Sequence, residues 1–149
     1  MKPMLLFTAA LLLPAAALTQ TTPTSASARA GIDAGNQAWI DGVKANEVSP
    51  IIATYAENAV DCDSAGNCIQ GRAQIEQHMK TGMARLGRAR SASVSSWGST
   101  QHGSFVYEWG QAQASFAGGQ RVVDQYLTVW QHQPDGSWKI FRNLVIPGP

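Results

Sequence analysis

The spacing of apolar residues changes once along this chain, near residue 88. Before that point it follows a helical period. Ile32, Trp39, Ile40 and Val43 fall on one helical face, so residues 31–45 are expected to form an amphipathic helix. Ser49-Pro50 restarts the chain, since proline is accepted in a helix's first turn, and 50–55 reads as a short second helix. Ile75, Met79, Met83 and Leu86 mark a third over 74–86, ended by Gly87. A short strand, 59–62, lies between the last two. Beyond residue 88 the period is two. Strands are expected over 89–97, 104–116, 121–131 and 138–145, separated by the turn signals Gly118-Gly119 and Pro134-Asp135-Gly136. Helices first and an antiparallel meander afterwards is an α+β pattern. A curved sheet would have to wrap the long first helix, because nothing else is large enough to cover it.

The chain of 149 residues is long enough to bury a core, and its length predicts one domain. With 44% hydrophobic residues and a formal net charge of +1, it is neither a disordered segment nor a basic nucleic-acid binder. Residues 1–17 have Lys2, an apolar run from Met4 to Leu13 and the small-residue site Ala15-Ala16-Ala17, the pattern of a secretory signal peptide. The run is shorter than the roughly 20 residues that a spanning helix needs. Stable membrane insertion is therefore not expected, and a secreted or periplasmic location is. Residues 18–30, rich in Thr, Ser and Ala, read as a flexible tether to a domain at 31–149. Cys62 and Cys68 flank Asp63-Ser64-Ala65-Gly66-Asn67. No histidine spacing completes a metal site, so none is expected, and an oxidising compartment favours a disulfide across a hairpin.

Two segments resemble the nuclear transport factor 2-like superfamily, including its ketosteroid isomerase-like and SnoaL-like members. One is Ile51-Ile52-Ala53-Thr54-Tyr55-Ala56-Glu57-Asn58-Ala59-Val60, followed by the hairpin and Gly71-Arg72-Ala73-Gln74-Ile75. The other is Tyr126-Leu127-Thr128-Val129-Trp130, a Pro-Asp-Gly turn and Gly136-Ser137-Trp138-Lys139-Ile140. The resemblance implies a cone: a bent antiparallel sheet around the first helix, with a pocket at the wide end. The superfamily includes isomerases, hydrolases and ligand-binding modules, so the fold names no single activity.

Matched to ketosteroid isomerases, Asp63 takes the place of their proton-abstracting base and Asp124 that of their protonated oxyanion donor. Such a pair can remove a proton beside a carbonyl and stabilise the resulting oxyanion without a cofactor. The place of the family's oxyanion-hole tyrosine falls on Trp39, a departure from the pattern. Trp39, Tyr55, Trp109 and Tyr126 are the expected wall of an apolar pocket for a small hydrophobic carbonyl compound. Simpler readings stand beside these. Asp63 could cap the turn that it begins, Asp124 could pair with Arg142, and the aromatics could be core. No cofactor is expected. The alternative to an enzyme is a non-catalytic ligand-binding or protein-interaction module, including a homodimer through the sheet face.

Overall fold

The computed structural model describes residues 22–149; the expected signal peptide and the first residues of the tether lie outside them. Helix α1 spans Ala26–Ala45. Ser25 caps its start through Oγ, and Asn46 ends it in the left-handed region at φ 60°. The helix thus begins inside the stretch read as a tether, and Thr22 bridges to Gln101 of the sheet. The buried face of α1 is built on Ala28, Ile32, Gly35, Gly42 and Val43. Two of these are glycines because other side chains occupy the space where a Cβ would stand: Trp130 at Gly35, and Ile51 at Gly42.

Helix α2 is Ser49–Ile52, with proline in its first turn. Tyr55, expected at the end of that helix, instead opens β1, Tyr55–Cys62. β2 is Cys68–Gln70 and α3 is Arg72–Leu86. Four long strands follow: β3 Ala89–His102, β4 Phe105–Phe116, β5 Arg121–His132 and β6 Trp138–Pro147. They form one six-stranded sheet in the order β2-β1-β6-β5-β4-β3. The antiparallel expectation holds except at one seam. β1 lies parallel to β6, because the chain crosses over through α3 and the meander before it returns beside its first strand.

The result is the expected α+β architecture, a long helix packed against a curved, open sheet. Val43, Ile51, Tyr55, Ile75 and Phe116 belong to one buried cluster, and Ile32, Val106, Trp130 and Trp138 to a second. Ile140 packs against both.

Candidate functional site

Between α1 and the sheet lies a cavity with two lobes. The inner lobe, of about 180 Å³, is lined among others by Asn36, Tyr55, Asp61, Tyr126, Trp130 and Asn143. The outer lobe, of about 270 Å³, is lined by Asp63, His78, Met83, Phe116 and Val122 among others. Trp39, Ile51, Met79 and Asp124 border both.

The two acids of the sequence match take different roles. Asp63 begins the β1–β2 turn and caps it: Oδ1 accepts from the backbone N–H groups of Ala65 at 3.0 Å and Asn67 at 2.9 Å. Its Oδ2 lies 3.3 Å from His78 Nε2 on α3. Slight desolvation opposes ionisation, but the Asn67 side chain, these backbone donors and His78 together hold the Asp63 carboxyl below the usual range. The capping reading is therefore satisfied, yet Asp63 also faces the outer lobe.

The Asp124 side chain, on β5, has no hydrogen bond or ion pair among the described residues. Burial alone pushes its carboxyl up. The alternative partner, Arg142, points elsewhere: its Nη1 donates to the carbonyls of Asn58 and Phe141, and it lies over the Phe141 ring.

The sequence reading missed Asp61. It is 7% exposed and stands in the inner lobe. Tyr55 Oη and Asn143 Nδ2 both donate to its Oδ1, at 3.0 and 2.7 Å. Thr128 Oγ1 in turn donates to Asn143 Oδ1 at 2.7 Å. Burial raises the Asp61 carboxyl despite these donors. The same burial, with Asp61 alongside, holds the Tyr55 phenol well above its ordinary value. Asp61 lies within the expected strand 59–62, two residues before Asp63, and that closeness was the available signal.

Glu108 was missed too. It is fully buried behind the cavity wall. Asn36 Nδ2 and Tyr126 Oη donate to its Oε1 at 2.9 and 3.1 Å, and Trp130 Nε1 donates to Oε2 at 2.9 Å. Burial and the adjacent Glu108 carboxylate push the Tyr126 phenol up. Gly110, in register with Tyr126, makes this possible, because a Cβ there would stand 2.7 Å from the phenol oxygen.

Of the expected wall residues, Trp39, Tyr55 and Tyr126 line the cavity. Trp109 does not. It is 40% exposed on the opposite face of the sheet, where its ring lies over Gly98. Along β4 it is Val106, Glu108 and Gly110 that turn inward. Tyr107 and Trp109 alternate with these on the outer face, while Phe116 at the end of the strand turns inward. Cys62 and Cys68 form the expected disulfide across the β1–β2 hairpin. It joins β1, which carries Asp61, to β2 and so closes the turn that carries Asp63.

Among solved structures, a cystatin-like domain of unknown function from Nostoc punctiforme superposes with a TM-score of 0.75 at 14% identity, covering 85% of this chain and 80% of that one. A nuclear transport factor 2-like protein of unknown function from Pseudomonas putida gives 0.67 at 16% identity, covering 83% and 88%. This chain has the nuclear transport factor 2-like fold. A ketosteroid isomerase-like protein from Erwinia carotovora shares it, with a TM-score of 0.61 at 17% identity over 83% of this chain and 93% of that one. No protein-family model and no curated protein matches the sequence. At such identities the likeness establishes the fold alone, and any activity has to be argued from the cavity.

Proposed function

We propose that this is a secreted protein whose cavity takes a small hydrophobic compound and moves a proton on it without a cofactor. Support for secretion comes from the leader-like residues 1–17 and from the disulfide. The observation that carries the chemical reading is the contrast between Asp63 and Asp124. Both border the outer lobe, and their surroundings push their carboxyls in opposite directions. Such divergence separates a base from an acid. In this reading the Asp63–His78 pair receives the proton lost from a carbon beside a carbonyl. Asp124, whose carboxyl burial pushes up, donates to the enolate oxygen in its protonated form. Return of the proton to carbon completes the cycle and leaves the redox state unchanged.

The test is deuterium incorporation at the α-carbon of 4-phenyl-2-butanone in D2O, followed by NMR. Exchange above the buffer rate is expected for the wild type. It should fall by about a hundredfold or more in Asp63→Asn and in Asp124→Asn, the range for loss of a general acid or base. Binding of the ketone without faster exchange would leave a non-catalytic binding module.

A second reading, a homodimer or protein-interaction surface, is favoured by a specific feature. Trp97, Trp109, Leu127 and Leu144 are all exposed on the outer sheet face. Trp109 is in register with Leu127, and Leu127 with Leu144. Sedimentation of the wild type against Leu127→Lys tests it. A dimer that dissociates in the variant supports the reading, and a wild-type monomer excludes self-association.

A further inference from the structure

The polar groups of the inner lobe share one bias. The Tyr55 and Tyr126 hydroxyls, Asn143 and Asn36 amides and Trp130 N–H each donate to Asp61 or Glu108. The carboxylate oxygens that remain turned to the cavity are acceptors without a donor. Asp61 Oδ2 accepts no hydrogen bond from any described residue, although the residue is only 7% exposed. Neither oxygen of Asp124 has a partner among the described residues. No lysine, arginine or histidine is among the described residues lining this lobe. Trp39 Nε1, at the junction of the lobes, is left as a donor without a partner among the described residues. Asp61 and Asp124 thus line a small volume with Glu108 behind its wall; the basic group that acts on Asp61 is His78, which lines the outer lobe beside Asp63.

A cavity of this kind is complementary to a ligand that donates and carries positive charge. Indole and phenol rings in the wall, those of Trp39, Trp130 and Tyr126, suit a cation for a second reason, the attraction between a cation and an aromatic face. The apolar remainder, including Ile51, Met79 and Val94, suits a hydrocarbon body.

We propose that the inner lobe receives the ammonium group of a small hydrophobic amine, with Asp61 and Asp124 as its carboxylate partners. The bound positive charge draws Asp124 into its ionised form. This rests on the reading of the cavity as a ligand site and not on proton transfer. It goes beyond that reading by naming the charged end of the ligand.

The test uses three probes of similar size on the mature protein: 2-phenylethylammonium, 2-phenylethanol and 4-phenyl-2-butanone. Binding is read by quenching of tryptophan fluorescence and by calorimetry. The ammonium is expected to bind at least about tenfold more tightly than the alcohol, the equivalent of about 1.4 kcal/mol. Asp61→Asn should remove most of that preference. Asp124→Asn, at a half-buried carboxyl with no partner to disturb, serves as the second variant if Asp61→Asn fails to fold. Equal or tighter binding of the ketone overturns the proposal and leaves the pocket reading intact. Binding of none of the three overturns both. Ammonium binding that neither substitution weakens also overturns the proposal.

Discussion

Trp130 and Gly35 are fitted to one another: the six-membered ring of Trp130 occupies the place where a Cβ on Gly35 would stand. That approach seats the indole beneath α1 and brings its Nε1 to 2.9 Å from Glu108. Gly35→Ala should therefore push the ring off its partner and destabilise the fold by about 2 kcal/mol, as overpacking does. Urea denaturation measures it, and an unchanged midpoint would show that the ring can move aside freely.

Glu108 joins three donors from α1 and β5 under the cavity floor. Glu108→Leu would leave all three without an acceptor. Each orphaned buried donor costs about 1–3 kcal/mol, so a loss of about 3 kcal/mol or more is expected. Glu108→Gln, which keeps an acceptor oxygen, should cost less. Equal losses for the two would show that shape rather than hydrogen bonding matters at this position.

Asp61 makes folding sensitive to pH, and the sign follows from its raised carboxyl. At low pH the group is protonated in both states and carries no penalty. As pH rises past the ordinary aspartate value of about 3.9, the unfolded chain ionises first. Stability should then fall until the folded carboxyl also ionises. Asp61→Asn can still accept from Tyr55 and Asn143 and should remove this component of the slope. Urea midpoints at several pH values between 4 and 7 test it; parallel slopes for wild type and variant would assign the dependence to other groups.

Trp109 lies on the face away from the cavity. Trp109→Ala should change the affinity of any cavity ligand by less than roughly twofold, the scatter typical of surface substitutions. A larger loss by calorimetry would mean that the outer face communicates with the site.

Reduction of Cys62–Cys68 removes the tie between β1 and β2 that closes the turn of Asp63. Chain entropy for so short a loop predicts a loss of about 2 kcal/mol. If the tie also aims the carboxylates, ligand affinity should fall in Cys62→Ser/Cys68→Ser. Unchanged affinity beside a lowered Tm would limit the bridge to stability.

Much of the architecture was legible in the residues. The switch from helical to alternating spacing placed α1, α3 and the four long strands, because burying one face of each element requires those periods. Glycine and proline marked the turns, because only certain residues adopt those dihedrals. The two cysteines fit the hairpin because five residues between them reach across a turn. Local sequence did not determine that β1 would lie parallel to β6, since pairing at that separation is set by how the whole chain wraps α1.

The site divides in the same way. Asp61 and Asp63 stand two residues apart in the chain, but only the tertiary structure gave them different surroundings. Asn143, 82 residues away, reaches Asp61, while the turn itself holds Asp63. Along β4, alternation set Trp109 apart from Glu108 without saying which faced inward. The tertiary contacts settled that: Asn36, Tyr126 and Trp130 meet Glu108 on the inner face, while Trp109 lies over Gly98 on the outer one. Periodicity is a property of neighbours in the chain. Burial and charge environment depend on residues that meet only when the sheet closes over the helix.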